Sequence, residues 1–379
     1  MEEYKVKLSI DVVVPVTRIS KSLYEILNME RPKDVSIRFL FVVDKVGLKL
    51  PDDIEKRDDV VVIYNSRNLG AGLSRNVGIE KSSADYILFL DDDIFPERNL
   101  LIEYYRAILE DPDRPGYVGY VGFPFDLKNR FHLGVKLSLL TTFFGIAKMF
   151  KEVVWGVTAN LLINRKKLND IRFKPVFPKG GGGEDIDFCI RLTRKENKLL
   201  KTVPEAKATH PVWSGKGRWK RFFRWRYGDT NLILFYPELT YRSYPILPEY
   251  IFILSILMLF LGLLFGPHWF ISYLLLMPTL IIVEIFTTKK MIESTGLREY
   301  PLIGYIYATF MRLINEFGHL AFIIRHMKFS LLFKRFDYSC MGKFIAFEKK
   351  WAKIKFFSYL ATTIILLVSI YFIVGLPPF

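Results

Sequence analysis

The chain has 379 residues, a formal net charge of +15 and a hydrophobic fraction of 51%, which makes it more apolar than an ordinary soluble domain. Its two cysteines, Cys189 and Cys340, lie too far apart in sequence to suggest a disulfide framework or metal-ligand spacing, and they fit a reducing compartment. The positive charge suits nucleic acid, anionic lipid or a phosphorylated ligand, and the placement of the basic residues decides among these.

The opening stretch MEEYKVKLSIDVVVPV has acidic residues where a secretory signal has basic ones and passes at once into a strand-like run. No signal peptide is expected, and the N-terminal half is expected in the cytoplasm. Short apolar runs at 11–16, 37–44, 60–65 and 86–91 each end at a polar residue, with helical stretches between most of them. Continuous rather than alternating hydrophobicity predicts strands covered on both faces, hence a mainly parallel sheet that binds ligands at its carboxyl edge. Thr17, Asp44, Asn65 and the aspartates 91–93 fall on that edge.

The last of these runs, ADYILFLDDDIFPE (84–97), ends in three consecutive carboxylates. Such charges oppose one another's ionisation unless a cation lies between them, and a divalent ion is the usual remedy. The alternative is a loop in which Asp93, Pro96 and Glu97 start the next helix. VKLSLLTTFFGIAKMF (135–150) is apolar but too short to span a bilayer, and reads either as an interfacial helix admitting a lipid tail or as a core helix. Four glycines at 180–183 suggest a mobile loop beside Glu184 and Asp185, which open a helix. Acids in a first turn also serve the helix dipole alone. KGRWKRFFRWRYG (216–228) interleaves basic and aromatic residues, as a juxtamembrane helix or a phosphate-binding segment would.

Runs at 250–266, 269–286 and 356–376 are each long enough to cross a hydrocarbon core of ~30 Å. Nine lysines and arginines between Arg325 and Lys355 precede the last run, which places that segment on the cytoplasmic side against an anionic leaflet. Segment 301–325 then reads as an amphipathic interfacial helix with Arg312, Asn315, Glu316 and His319 on one face, or alternatively as a polar-faced span. The expected organisation is a domain at 1–235 and a membrane region at 236–379.

NLGAGLSRNVGIEKSSADYILFLDDD, followed by GGEDIDFCIRL, resembles the family 2 nucleotide-sugar glycosyltransferases of GT-A fold, and is similar to the dolichyl- and polyprenyl-phosphate glycosyltransferases among them. The likeness covers residues 8–230. RFFRW (221–225) is similar to the family's Q-x-x-R-W element, with arginine for glutamine. The resemblance implies an α/β fold, a GT-A, Rossmann-like and mainly parallel sheet domain, followed by an α-helical membrane region. By position, Pro15, Thr17, Arg18 and Asp44 would line the base and ribose pocket. Arg75, Asn76, Asp91, Asp92, Arg221 and Arg224 would lie at the rest of the nucleotide sugar. Asp91 and Asp93 would hold Mg²⁺ or Mn²⁺ with His210 as third ligand, unless His210 is simply a satisfied structural histidine. Asp185 would be the catalytic base beside Glu184, and Gly182, Gly183 and Trp225 would meet the acceptor. The second strand runs on as VVDKVGLKL, without the family's second acidic residue and Gly-Ser turn.

The expectation is therefore an inverting transferase, integral to the cell membrane with its catalytic domain cytoplasmic. It would move sugar from a UDP- or GDP-sugar to a lipid-linked acceptor, with membrane lipids and no nucleic acid as partners. A processive polysaccharide synthase and a non-enzymatic scaffold with a degenerate transferase domain are the alternatives.

Overall fold

A computed structural model of the chain describes residues 8–214 and 217–374. The first seven residues, Lys216 at the head of the basic-aromatic stretch, and the last two residues of the expected span 356–376 lie outside the described residues.

In chain order the strands are β1 (Leu8–Val16), β2 (Val35–Val43), β3 (Val60–Tyr64), β4 (Tyr86–Leu90), β5 (Phe95–Pro96), β6 (Gly116–Gly122), β7 (Glu152–Val153), β8 (Asn160–Asn164), β9 (Leu200–Thr209), β10 (Thr240–Arg242) and β11 (Lys334–Phe336). The helices are α1 (Lys21–Leu27), α2 (Asp52–Glu55), α3 (Ala71–Lys81), α4 (Leu100–Glu110), α5 (Arg130–Ser138), α6 (Glu184–Glu196), α7 (Lys220–Phe235), α8 (Leu247–Phe265), α9 (His268–Glu293), α10 (Leu302–Arg325) and α11 (Ile345–Val374). They group into two compact units, one of residues 8–125 and Thr141–Arg218, the other of Asp126–Leu140 and 219–374. A single boundary at 235 does not describe this division, because α5 and α7 both pack with the C-terminal helices.

In the first unit the sheet runs β3-β2-β1-β4-β8-β6-β9-β5, with β7 on β9. The first four strands are parallel, β8 is antiparallel to both β4 and β6, and β6 runs parallel to β9. Ile10, Val12, Val13, Val14, Phe39 and Phe41 are fully buried, as strands covered on both faces require. The buried carboxylate of Asp11 takes two hydrogen bonds from Arg38, at 2.9 and 2.8 Å, and one from Ser82 Oγ at 2.7 Å. Helix α3 lies hard against β1, since a Cβ on Gly78 would come within 2.3 Å of Val13 Cγ1. That contact fixes the α3 N-terminus over the carboxyl edge of the parallel strands.

In the second unit, Leu247–Phe265, His268–Glu293 and Ile345–Ile370 are long and apolar enough to cross a membrane. Leu263, Leu274 and Ile365 are among the apolar side chains they leave exposed, while Glu249, Glu284 and Lys355 are buried. Glu249 pairs with Arg335, and Glu284 with Lys355 and Tyr359, as ionisable groups in apolar helices must. Two of the nine basic residues before the last run are thus spent on internal pairs. Helix α10 occupies the segment expected to be amphipathic, but its polar residues face neighbouring helices. Arg312 Nη1 donates to Ser138 O at 3.1 Å, Asn315 Nδ2 to Phe222 O at 2.9 Å, and His319 Nδ1 lies 3.0 Å from Thr230 Oγ1. Leu302, Phe310, Phe317 and Ile324 are on its exposed side.

The stretch 135–150 is not one helix. The chain turns through a left-handed residue at Leu139 (φ 62°), ending α5, and resumes as a 3₁₀ segment at Thr142–Lys148 in the other unit. A bulky residue in that conformation is costly and marks a true break.

Candidate active site

Every parallel strand of the first unit delivers a polar residue to the same edge, and the three aspartates after β4 fan out to different partners. Asp92 is 4% exposed. Its Oδ2 accepts from the Thr17 amide at 2.8 Å and hydroxyl at 2.9 Å, and its Oδ1 from Arg18 Nε and Nη2 at 3.1 and 2.9 Å. Its carbonyl takes the Ser20 and Ser22 hydroxyls. Asp92 therefore ties the loop after β1 to the end of β4, with both oxygens used in doing so.

Asp91 and Asp93 flank it. Asp91 Oδ1 accepts from Arg75 Nη2 at 2.5 Å. Asp93 Oδ2 meets Arg18 Nη2 at 3.0 Å, and its Oδ1 lies 3.4 Å from His210 Nε2. Ligand atoms of Asp91, Asp93 and His210 all lie within 4.8 Å of one another. His210 Nδ1 is 2.7 Å from the carbonyl of Pro211. A carbonyl only accepts, so Nδ1 carries the hydrogen, and in the neutral ring the lone pair is on Nε2, toward the carboxylates. Burial pushes the Asp93 pKa up from the ordinary carboxylate value, with His210 opposing and Asp91 adding to the shift. Two carboxylates and an imidazole nitrogen brought together in this way are a donor set that fits a divalent cation. His210 is held in place by rings, with Phe123, Trp213 and Phe144 at centroid distances of 5.4, 5.0 and 6.1 Å.

Arg75, on α3, is buried over the Phe173 ring, 5.8 Å from its centroid. Its Nε and Nη1 have no hydrogen-bond partner among the described residues, an expensive state for a buried guanidinium. The neighbouring Asn76 is committed elsewhere, its carboxamide pairing with both the amide and carbonyl of Phe173 at 2.8 Å. Asp44 is likewise occupied, accepting from the amides of Leu69 and Gly70 at 2.7 Å and from Asn65 Nδ2 at 2.9 Å. Both residues shape the rim of the site in this structure. Pro15 is buried in β1, whereas Thr17 and Arg18 are exposed beyond its end.

Of the acids opening α6, Asp187 is fully buried between Lys174 and Arg191. Glu184 curls back to accept from the Gly182 amide at 2.7 Å, and burial raises its pKa against the pull of Arg75. Asp185 is the half-buried acid of the three. Gly181, Gly182 and Gly183 all have positive φ (91°, 133° and 89°), so this loop needs glycines to present the α6 N-terminus. Gly70 meets the same segment, since a Cβ there would sit 2.7 Å from Lys179 Cα.

Arg221, Arg224 and Trp225 lie on α7, in the second unit. The contributions of Phe173 and Phe123 are not apparent from the motifs. The signal available was position alone, Phe123 standing in GFPF just past a strand end and Phe173 between two basic residues.

Residues 36–172, from β2 to the loop before α6, match the model of glycosyl transferase family 2 and include Asp44, Arg75, Asn76 and Asp91–Asp93. The match runs from β2 to beyond β8, so the chain carries a stretch similar to family 2 glycosyltransferases, together with three membrane-capable helices among its described residues. Among solved structures, S. aureus TarS 1–349 in complex with UDP is 16% identical, with a TM-score of 0.42 over 60% of this chain and 66% of that one. S. aureus TarS 1–349 alone is 14% identical, with a TM-score of 0.41 over the same shares. GalNAc-T7 with UDP, GalNAc and Mn²⁺ is 13% identical, with a TM-score of 0.42 over 61% of this chain and 48% of that one. The chain thus spans just under two thirds of the length of the TarS structures. Comparison with curated proteins gives no match.

Proposed function

We propose that this protein is a membrane-bound, metal-dependent, inverting glycosyltransferase that moves a sugar from a UDP- or GDP-sugar to a lipid-linked acceptor at the cytoplasmic face of the cell membrane. The carrying observation is the convergence of Asp91, Asp93 and His210 on the ligand edge of the sheet that carries the family 2 match. These three side chains would hold the cation, and the mixed oxygen and nitrogen donors favour Mn²⁺ over Mg²⁺. When bound, it supplies positive charge to the departing nucleoside diphosphate. Arg75 offers the same diphosphate two donor nitrogens, Nε and Nη1, that are unpaired among the described residues.

The anomeric carbon–oxygen bond of the donor breaks with its electron pair passing to the diphosphate, and an acceptor oxygen bonds to that carbon from the opposite face. Asp185 takes the proton of an acceptor hydroxyl. If the acceptor is a polyprenyl phosphate, its oxygen is already ionised and Asp185 orients it instead. Glycolipids and lipid-linked oligosaccharides are acceptors of the hydroxyl kind. A lipid acceptor is favoured because three membrane-capable helices would confine enzyme and substrate to one surface, which raises the effective acceptor concentration. Arg221, Arg224 and Trp225 are assigned to the diphosphate, the headgroup and the acceptor, and Gly182 and Gly183 to the loop that admits it.

The test is transfer of radiolabelled sugar from a panel of UDP- and GDP-sugars into lipid extract by the detergent-purified full chain, followed by mild acid. Acid-labile label marks a sugar on a polyprenyl phosphate, and acid-stable lipid label a glycosidic bond. Asp93→Ala is expected to abolish transfer and Mn²⁺ uptake together. Full transfer by that variant would remove the metal assignment.

A further inference from the structure

Arg18 stands where two carboxylates meet. Its Nη2 reaches Asp92 Oδ1 at 2.9 Å and Asp93 Oδ2 at 3.0 Å, and its Nε reaches Asp92 Oδ1 at 3.1 Å. Asp92 alone would suffice to hold this loop, because it also binds the Thr17 amide and hydroxyl. The further reach to Asp93 divides that carboxylate, Oδ2 to the guanidinium and Oδ1 to the His210 side. With the Asp93 side chain 13% exposed, water does little to screen this contact, whereas the Arg18 side chain is 52% exposed and keeps one face outward.

We infer that Arg18 is a positioning residue that reserves one oxygen of Asp93, so that a bound cation meets that carboxylate through Oδ1 only, and that it opposes occupancy by a bare metal ion. This rests on the metal reading above. Three carboxylates here face two guanidiniums, Arg18 and Arg75. The two guanidiniums offset much of the carboxylates' charge, which weakens the hold on a free divalent cation. A cation arriving with a nucleoside diphosphate brings its own compensating anion, for which the outward face of Arg18 is a ready partner. The site is thereby built to fill with metal and nucleotide together.

The experiment is titration of the detergent-purified full chain with Mn²⁺ alone, read by the loss of the free-ion electron paramagnetic resonance signal and by calorimetry. Wild type is compared with Arg18→Gln and Arg18→Lys. Arg18→Gln is expected to bind bare Mn²⁺ about tenfold more tightly, the size expected on removing a neighbouring unit charge at intermediate dielectric. Arg18→Lys keeps the charge but not the fork, and is expected to stay within about threefold of wild type. A residue that merely held the loop would, when replaced, weaken Mn²⁺ binding or leave it unchanged, and either result for Arg18→Gln overturns the inference. If Arg18→Gln proves unfolded, Arg18→Lys decides, since affinity more than about threefold from wild type contradicts a role carried by charge. Wild type that takes up no Mn²⁺ even with UDP or GDP added overturns the metal reading and this inference with it. Wild type that binds while Arg18→Gln binds no tighter overturns this inference alone.

Discussion

Replacing Asp92 with alanine separates the loop-tying aspartate from the two that face the cation site. The substitution removes the acceptor of the Thr17 amide and hydroxyl, at 2.8 and 2.9 Å, and of Arg18 Nε and Nη2. The Ser20 and Ser22 bonds go to its backbone carbonyl and survive. Each of the two Thr17 bonds contributes about 1 kcal/mol. The Arg18 pair adds little, because a guanidinium side chain 52% exposed regains water when released. The net cost is about 2 kcal/mol, carried by the junction between β1 and β4. The chain has two units, so a single melting temperature is a poor measure. Hydrogen exchange followed by mass spectrometry reads the junction directly, and about 2 kcal/mol corresponds to roughly 30-fold faster exchange through local opening. That acceleration should be confined to peptides covering 15–22 and 90–95. Unchanged exchange at the Thr17 amide in Asp92→Ala would refute the loop-tying role, as would complete loss of Mn²⁺ binding with exchange intact.

Asp185→Asn should leave donor and Mn²⁺ affinity intact, with transfer lost if the acceptor is a hydroxyl and substantially retained if it is a phosphate; donor titration beside turnover separates the cases. Gly78→Ala would press its Cβ to within 2.3 Å of Val13 Cγ1. A net loss of roughly 1–2 kcal/mol is expected, with less-than-additive destabilisation in the Gly78→Ala/Val13→Ala double mutant checked by denaturant unfolding. Burial lowers the His319 pKa to about 4, with Glu249 opposing. The unfolded ring binds a proton first, so stability is full above about pH 6.5 and falls toward pH 4, by up to about 3 kcal/mol. Unfolding of the helical unit measured across that range should lose its slope in His319→Gln, and an unaltered slope would assign the effect to another group.

The parallel strands could be read from the sequence because burial on both faces leaves a local mark, a continuous apolar run ending at a polar residue. The same logic placed Thr17, Asp44, Asn65 and the aspartates on one edge. What each of them does there was not legible. Asp92 and its two neighbours are identical in the sequence, and what distinguishes them is partners far along the chain, Thr17 on Asp92, Arg75 on Asp91 and His210 on Asp93. Asn76 beside Arg75 reads as a ligand contact, yet it clamps Phe173, 97 residues further on. On α10 the 3.6-residue periodicity gave the grouping of Arg312, Asn315 and His319 but not its direction, since water and a neighbouring helix satisfy a polar face equally well. Leu139 lay in an apolar run whose break depends on a backbone conformation that composition does not reveal.

The passage of residues 126–140 into the helical unit imposes an order on biosynthesis. Helix α5 packs on α10, where a Cβ on Gly134 would lie 2.6 Å from Tyr307 Cβ, and Ser138 accepts from Arg312 across 174 residues. A ribosome must therefore make most of the chain after α5 emerges before that helix finds its seat. The strands on either side of the excursion, β6 and β8, are neighbours in the sheet and can pair long before then, leaving α5 on a closed loop with its apolar face waiting. Cutting the gene after the sheet unit would leave this helix without its partner permanently, so a fragment ending at residue 235 should be prone to aggregate even though its sheet is complete.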